Sequence, residues 1–406
     1  MTDFDNLRHF CETRDETANH ILSDILIPYV AEREKYLRKL KKLLAPYRHV
    51  TREMPEGWTD LVMSQYVTHQ IFKENGLIHR YINHSEIKLL EDKKQQMLHE
   101  MKEQPWFFRF SYITDNPAPS FYKMYDIFRD EEFLLYSHAI GKVLEQEDHI
   151  QLFFNLYSYN GMCWQSYGLV NWFQSFDRDD ILFYATEIDD REPHIIAENI
   201  NEIIEKNPIP FMMLQSGAKT PATYHGEMRL ARHYSEYELT VDTGQLRDKC
   251  DVETVEDVSK ITLPDWEAFP HFAKAYYDHV DEVLYIEAMT RPGFATLANL
   301  FHDYGYPTAP IPELIVNMSM LTTASRILKR EIQFSPWEHL FSTEEEETGS
   351  TEQGVPEELN AFLEELIPML NSGEEPDIEA LAGQYGLDPE NAREVVNDLL
   401  QKMGRG

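Results

Sequence analysis

The residues whose types and spacing come closest to a chemical motif lie in one short loop. The stretch PFMMLQSGAKTPATYHGEM (210–228) ends an apolar run and passes through small residues to Lys219. A glycine-rich loop with a lysine can cradle a phosphate on its backbone N–H groups, and the full pattern is GxxxxGK followed by Ser or Thr. Here Gly217 alone precedes Lys219, and Pro221 removes a donor where a helix would begin. We therefore predict a turn between two strands, with anion binding by Lys219 as the alternative.

The same loop supplies the polar groups of a candidate ligand site. Such a site would lie between the 209–230 loop and an aromatic sheet, and it would belong to an enzyme or a small-molecule binder. Its candidate ligand-binding residues are Lys219, Thr220, His225, Glu227, Arg229, Tyr157 and Trp164.

The aromatic sheet is predicted from LFFNLYSYNGMCWQSYGLVNWF (152–173), where an Asn-Gly pair separates two strand-like runs. This pair favours a two-residue type I′ hairpin, which would place Tyr159 opposite Met162 and Tyr157 opposite Trp164. Aromatic side chains on one face of a sheet can stack on ring-shaped ligands. The face that carries Tyr157, Tyr159, Trp164 and Trp172 is interpreted first as core packing, and otherwise as a pocket for a small apolar or aromatic ligand.

The densest group of possible metal ligands is in HFAKAYYDHVDE (271–282), which reads as helical. A helical metal site needs ligands three or four residues apart on one face, and His279 points away from the face shared by His271 and Asp278. We predict a solvated acidic face and no metal. The chain also lacks GxGxxG and GxSxG, so the sequence indicates no cofactor and no catalytic residue.

The charge of the chain limits its partners. Its 406 residues carry 71 acidic and 37 basic side chains, a formal net charge of −34, which repels nucleic acid and anionic lipid. The segment from Arg33 to Arg52 is an exception, because it concentrates basic residues. It could bind phosphate, RNA or an acidic partner, or it could be a solvated helix face that complements its own dipole.

The cysteines and the apolar segments of the sequence indicate the cellular compartment of the protein. The three cysteines, Cys11, Cys163 and Cys250, are far apart and form no CxxC pair, which argues against a disulfide framework or a structural zinc site. The acidic, polar start does not read as a signal peptide, and no run is long enough to span a membrane. The sequence predicts a soluble cytoplasmic protein.

Periodicity predicts an α+β chain with a mainly antiparallel central sheet. We divide it into a helical N-terminal region (1–104), an α+β body (105–341), an acidic linker (342–354) and a small helical module (355–406). Pro28 is expected to kink or split the first long helical segment. Further predicted elements are strands at 106–113, 181–188 and 209–214, a strand pair within 228–241, and helices at 59–75, 84–104, 193–206, 264–304, 313–330, 356–369, 377–385 and 389–403.

The C-terminal module suggests a function. Its outline resembles a helix-turn-helix, but residues 352–406 hold thirteen acidic and three basic residues, which argues against DNA. We interpret it as a tethered protein-binding module, or alternatively as a tail that folds back on its own chain. The leading hypothesis is a non-enzymatic interaction or regulatory protein, in which the basic segment and the acidic module could also dock on each other.

Overall fold

The computed structural model describes residues 4–147, 149–189, 193–217, 224–225, 228–264, 271–333, 335–341, 362, 378–385 and 396. Two compact units are present, Met1–Pro336 and Trp337–Gly406. Helices and antiparallel sheets alternate in blocks along the first unit, so the predicted α+β class is confirmed.

The N-terminal region is helical, as its periodicity predicts. Its helices are α1 (Phe4–Asn19), α2 (Ile27–Arg33), α3 (Tyr36–Leu43), α4 (Arg48–Thr51), α5 (Trp58–Phe72), α6 (Ile78–Tyr81), α7 (Ser85–Lys88) and α8 (Asp92–Glu103). The break expected at Pro28 takes the form of a π-helical segment, His20–Leu26, that leads into α2 with Pro28 in its first turn. A sharper break follows at Lys35, whose φ of 56° is left-handed and ends the helical path between α2 and α3.

A five-stranded barrel follows. Its strands are β1 (Phe107–Ala118), β2 (Phe121–Asp126), β3 (Glu131–Tyr136), β4 (Leu152–Tyr159) and β5 (Trp164–Phe173). They close in the order β1-β2-β3-β5-β4, antiparallel except for the β3–β5 contact, and α9 (His138–Leu144) connects β3 to β4. This is a closed Greek-key arrangement of the OB-fold kind, in which closure removes exposed sheet edges.

Both faces of the barrel sheet are covered, which explains the large residues on alternate positions of its strands. Phe153, Tyr157 and Trp172 point inward with Met124 and Phe133. The outward-facing rings are Phe108, Phe110 and Phe154. They stack on one another and meet His69 of α5 and Phe211 of α12 edge-on.

The β4–β5 hairpin forms where predicted, but with a different register. Tyr159 pairs with Trp164 and Tyr157 with Ser166, so the connection spans four residues, 160–163. The Asn160 side chain causes this, because its Oδ1 accepts the N–H groups of Met162 and Cys163 at 2.9 and 2.8 Å. The slip is two residues, and a strand repeats its faces every two residues, so the predicted common face survives.

Two predicted strands are helices instead. The segment 181–188 lies in α10 (Arg178–Ile188), whose N-terminus is a capping box between Asp177 and Asp180. The segment 209–214 lies mostly in α12 (Pro208–Met213), where Pro208 occupies the first turn. Helix α11 (Pro193–Lys206) matches the predicted helix over 193–206.

The second sheet contains β8 (Ala231–Glu238), β9 (Asp251–Val255), β10 (Val258–Thr262), β11 (Lys274–Asp278), β12 (Val283–Ala288) and β13 (Leu314–Asn317), and a separate hairpin pairs β6 (Tyr224–His225) with β7 (Met228–Arg229). The strand order is β13-β8-β12-β11-β10-β9, and every pair is antiparallel. Its helices are α13 (Thr243–Leu246), α14 (Arg291–Asp303) and α15 (Met318–Leu328).

Three sequence predictions differ from the structure here, although α14 and α15 lie within the helices predicted over 264–304 and 313–330. In place of the strand pair expected within 228–241, β8 runs as one strand from Ala231 to Glu238 and is flanked on both sides by other strands. The helix expected over 264–304 contains the β11–β12 hairpin before α14 begins. The helix expected over 313–330 starts only at Met318, after β13.

The second unit contains α16 (Glu338–Phe341) and α17 (Ile378–Gln384), and α17 agrees with the helix predicted over 377–385. The linker 342–354 lies outside the described residues, as do almost all residues of the helices predicted at 356–369 and 389–403.

Candidate functional site

The opening loop follows α12. A turn of 3-10 helix, Leu214–Ser216, leads to Gly217, so no strand precedes the lysine. A Cβ atom at Gly217 would lie 2.2 Å from the Thr323 Oγ1 atom on α15, so the glycine is explained by close packing of α15. Beyond it, Lys219, Thr220 and Glu227 lie outside the described residues.

His225 and Arg229 lie in the short β6–β7 hairpin, where Tyr224 pairs with Arg229 and His225 with Met228. One contact between the described part of the loop and the barrel is a hydrogen bond from the Trp172 N–H to Gln215 Oε1, 3.0 Å long. The ligand site formed by the five polar loop residues therefore stays a prediction.

The two aromatic candidates belong to the barrel, where they share one end of it. This end collects the start of β1, the end of β2, β3 and the start of β5, where Trp164 pairs with Leu135 of β3. We call its charged and aromatic side chains the barrel-mouth cluster. The cluster consists of Arg109, Asp126, Arg129, Glu131, Phe107, Phe133 and Trp164.

Arg109 is the centre of the barrel-mouth cluster. Its side chain is 3% exposed, and its guanidinium carbon lies 4.0 Å from the Trp164 ring centre and 5.0 Å from that of Phe133. The guanidinium pairs with the half-exposed Glu131 carboxylate and lies 3.5 Å from the buried Asp126 carboxylate. Cation–π contacts of this kind strengthen when the cation is shielded from water.

Tyr157 lies deeper than Arg109. Its hydroxyl group is within hydrogen-bonding distance of Ser111 Oγ at 3.3 Å, and it accepts from Asn155 Nδ2 at 3.2 Å. All three side chains are fully buried, so Tyr157 acts as part of a polar barrel interior and not as an exposed stacking surface.

Burial controls the electrostatics of the barrel-mouth cluster. It lowers the pKa of Arg109 and raises the pKa of Asp126, although two backbone N–H groups and two arginines favour the Asp126 carboxylate. Desolvation therefore outweighs the attraction within the pair for both groups. Arg109 is thus an ion-pairing residue of the barrel interior, with one partner buried and one half-exposed.

The histidine group at 271–282 is not a helix face. Asp278 ends β11 and its Oδ1 accepts the N–H groups of Val280 and Asp281 at 2.8 and 3.1 Å, which forms the hairpin turn to β12. His279 contacts Ser259 Oγ at 2.8 Å just after β11, whereas His271 contacts Thr290 Oγ1 at 2.9 Å before β11 begins. Within the described ranges, no group of three or more His, Cys, Asp or Glu side chains is placed to hold a metal ion.

The basic segment forms an exposed surface. We define the basic-apolar surface as α3, α4 and the turn between them, together with the cleft beside them. Its outward side chains are Lys35, Leu37, Arg38, Lys39, Lys41, Lys42, Leu43, Arg48 and Arg52. Leu37 and Leu43 are 57% and 44% exposed, while Tyr36 and Leu40 hold α3 to the protein.

The cleft beside α3 has a volume of about 260 Å³. Its walls are proline and tyrosine side chains, and Lys42 and Lys206 line it as cations; the lining residues are Lys42, Leu43, Pro46, Tyr47, Tyr66, Lys206, Asn207, Pro208, Ile209 and Pro210. Among the residues that the structure describes, Lys41 and Lys42 form no ion pair, whereas Arg33 pairs with Glu86 and Lys39 with Glu34. Lys206 pairs with Glu202, so Lys41 and Lys42 are the cations that this surface offers to an anionic group beside its apolar walls.

An acidic cleft lies between α1 and the barrel and has a volume of about 550 Å³. Its α1 side carries Glu12, Asp15 and Glu16, and its barrel side carries Ser137 and His138. Asp15 accepts a hydrogen bond from Gln165 Nε2 at 2.7 Å. Burial, together with the nearby Glu12 carboxylate, raises the pKa of Asp15 from 3.8 to about 7.

We expect Asp15 to make the protein less stable as pH rises. Because the folded-state pKa exceeds the unfolded value, its stabilising contribution is complete below pH 4 and is lost as pH rises to about 7. Asp15→Asn should remove that loss and stabilise the protein at pH 8 by roughly 1–2 kcal/mol, with no gain at pH 4. Urea unfolding at both pH values measures this, and an equal effect at both would contradict the assignment.

Sequence reasoning identified Trp164 and the basic segment but missed Arg109. An arginine within the aromatic run WFFRFSYI was the available signal, since a charged residue in a buried strand must have partners.

No family model, curated protein or solved structure matches this chain. The strand order of the barrel therefore describes the fold alone, and a function must be argued from the surfaces described above. No helix among the described residues is long and apolar enough to cross a membrane.

Proposed function

We propose that this chain is a non-enzymatic cytoplasmic interaction protein that binds an acidic segment of a partner protein on its basic-apolar surface. The observation that carries the proposal is the position of exposed Leu37 and Leu43 beside a proline- and tyrosine-walled cleft and next to Lys41 and Lys42, which form no ion pair within the described ranges. A peptide with acidic and aliphatic side chains matches both features, because its apolar anchor can enter the cleft while its carboxylates meet the cations.

Protein is favoured over RNA for two reasons. A net charge of −34 opposes the approach of a long phosphate backbone, whereas a short acidic segment meets only the local field of the basic-apolar surface. The exposed Leu37 and Leu43 side chains also require an apolar counterpart, which a phosphate backbone does not supply.

The C-terminal module is a second recognition element of this proposal. Its support is the sequence: a compact helical pattern of high acidity that follows a polar linker. Leu381 is a buried residue of α17, so Leu381→Asp in the full chain should disrupt the module. A partner captured by the wild-type chain but not by Leu381→Asp would support recognition by the C-terminal module. Equal capture by both chains would contradict it.

Charge reversal should abolish the proposed binding. We expect Lys41→Glu combined with Lys42→Glu to weaken binding of a labelled peptide of Glu and Leu pairs by roughly tenfold or more, about 1.4 kcal/mol. Fluorescence anisotropy measures the dissociation constant at low and near-physiological salt. The matched control is Lys88→Glu combined with Lys93→Glu, which changes the net charge equally at exposed positions of α7 and α8.

A second pair of variants separates peptide binding from simple charge attraction. Leu43→Ala should weaken peptide binding, whereas Leu89→Ala, at a position that is 85% exposed and outside the basic-apolar surface, should not. A single-stranded RNA that binds more tightly than the peptide, with affinity that depends on Lys41 and Lys42 but not on Leu43, would overturn the proposal.

A further inference from the structure

Two cysteines that are far apart in sequence meet inside the fold. Cys11 lies on α1 and Cys163 lies in the β4–β5 connection, 152 positions away, and their Sγ atoms are 3.5 Å apart. Their exposed fractions are 0% and 1%. Around them, Leu7 of α1 packs on Phe121 and Tyr136 of the barrel, so the thiols lie within the α1–barrel contact.

Polar groups hold the Cys163 thiol in place. Asn160 Nδ2 lies 3.5 Å from both sulfur atoms, while its Oδ1 fixes the loop by accepting the Cys163 N–H. Gln165 Nε2 donates to the Cys11 carbonyl group at 3.3 Å, which ties the helix backbone to the same hairpin. Contacts from α1 and from the β4–β5 hairpin therefore hold the Cys11 and Cys163 side chains next to each other.

The two thiols differ in proton affinity. Hydrogen bonds from the Cys11 thiol and then from the Asn160 amide lower the pKa of Cys163, although burial opposes them. The same contact raises the pKa of Cys11. Cys163 is thus the member that forms the thiolate, and the thiolate is the nucleophile in disulfide exchange. Among the described residues Cys250 has no cysteine beside it, and burial raises its pKa to about 11.

We propose that Cys11 and Cys163 form a reversible disulfide modification site that is oxidised by low-molecular-weight disulfides such as glutathione disulfide. The Cys163 thiolate attacks one sulfur of glutathione disulfide, and a glutathione thiolate leaves. Cys11 then loses its proton and attacks the Cys163 sulfur of the mixed disulfide, which releases the second glutathione. Two protein thiols are oxidised, and one glutathione disulfide is reduced to two thiols.

The bond would fasten α1 to the barrel. Glutathione disulfide reaches Cys163 when α1 opens locally, and oxidation then prevents that opening. The acidic cleft has one wall on α1, so the same bond would fix its width. Closing a chain loop this long also stabilises the folded state by restricting the unfolded chain.

The test uses the full chain incubated with glutathione disulfide under native conditions. Alkylation followed by peptide mass analysis should show a Cys11–Cys163 cross-link and a free Cys250. The melting temperature should rise by roughly 5 °C and return with dithiothreitol. Cys11→Ser and, separately, Cys163→Ser should abolish the rise, while Cys250→Ser should retain it.

Three results would overturn the proposal. They are a stable glutathione adduct on Cys163 with Cys11 still free, a cross-link that includes Cys250, and a Cys11–Cys163 bond that forms only in urea. Circular dichroism of each reduced variant checks that it folds, and Cys11→Ala provides a second variant in case the serine hydroxyl disturbs the buried contact.

Discussion

Replacing Arg109 with methionine is expected to lower the free energy of unfolding by roughly 3 kcal/mol, because it leaves the Asp126 carboxylate buried without its nearest cation. Asp126 is 1% exposed, and its Oδ2 atom lies 3.5 Å from the Arg109 guanidinium and 3.6 Å from that of Arg129. Methionine keeps much of the apolar volume between Phe133 and Trp164, so the loss reports the charge and not a cavity.

Urea unfolding measures this change, and an exposed arginine gives the matched control. Arg33 pairs with Glu86 at 3.3 Å and lies over the Tyr29 ring at 4.6 Å, so it makes the same two kinds of contact near water. Arg33→Met should cost less than about 1 kcal/mol, because solvent screens exposed pairs. Equal losses for Arg33→Met and Arg109→Met would contradict the importance of burial.

A second substitution tests whether the Asp126 carboxylate, left without Arg109, causes the loss of stability. In Arg109→Met combined with Asp126→Asn, the amide oxygen can still accept the Phe128 and Arg129 N–H groups, which Asp126 Oδ1 accepts at 3.0 Å. The double variant should therefore be more stable than Arg109→Met alone. A double variant that loses the sum of the two single changes would show that the carboxylate and guanidinium act independently.

The aromatic hairpin shows which parts of the fold sequence can predict. The alternation of residues 152–173 predicts two paired strands with Tyr157 and Trp164 on one face, and the structure has both. The turn type was misjudged, because the Asn160 side chain closes a four-residue connection that a dipeptide rule does not anticipate. The cross-strand partners differ from those predicted, but each side chain stays on its predicted face, because a strand repeats its faces every two residues.

The helix predicted over 264–304 was wrong for a related reason. Tyr276, Val280 and Leu284 are spaced by four, which suits one face of a helix. In the structure Tyr276 lies in β11, Val280 lies in the turn, and Leu284 lies in β12 opposite Tyr277. The decisive feature is the Asp278 side chain, which closes the turn between β11 and β12. Turn chemistry carried by one carboxylate therefore overrides an apparent helical period.

The strand predicted at 181–188 failed because burial hides periodicity. Five consecutive residues of α10, Ile181 to Ala185, are buried, so the helix is covered all round and has no polar face to reveal its repeat. The available signal was the capping box of Asp177 and Asp180, which marks the start of a helix. The pairing of Cys11 with Cys163 was equally beyond sequence, since it depends on where α1 lies against the barrel.

Replacement of Asp180 is expected to give the largest loss in the free energy of unfolding. Its side chain is fully buried, and its carboxylate accepts the Asn317 N–H at 2.7 Å, the Asn317 amide at 2.8 Å and the Asp177 N–H at 2.9 Å. These bonds join the start of α10 to the junction of β13 and α15. Asp180→Ala should cost roughly 4 kcal/mol, because buried donors lose a charged acceptor and a helix loses a cap.

Asp60→Ala is the matched control, because Asp60 lies in the first turn of α5 at an exposed position. It should cost less than about 1 kcal/mol, the usual contribution of an exposed acid near a helix N-terminus. Asp180→Asn should fall between the two, since the asparagine keeps one acceptor oxygen but turns a donor toward at least one N–H group. If Asp180→Ala and Asp60→Ala unfold at the same urea concentration, water or neighbouring groups replace the carboxylate, and the connection between α10 and β13 depends on apolar packing instead.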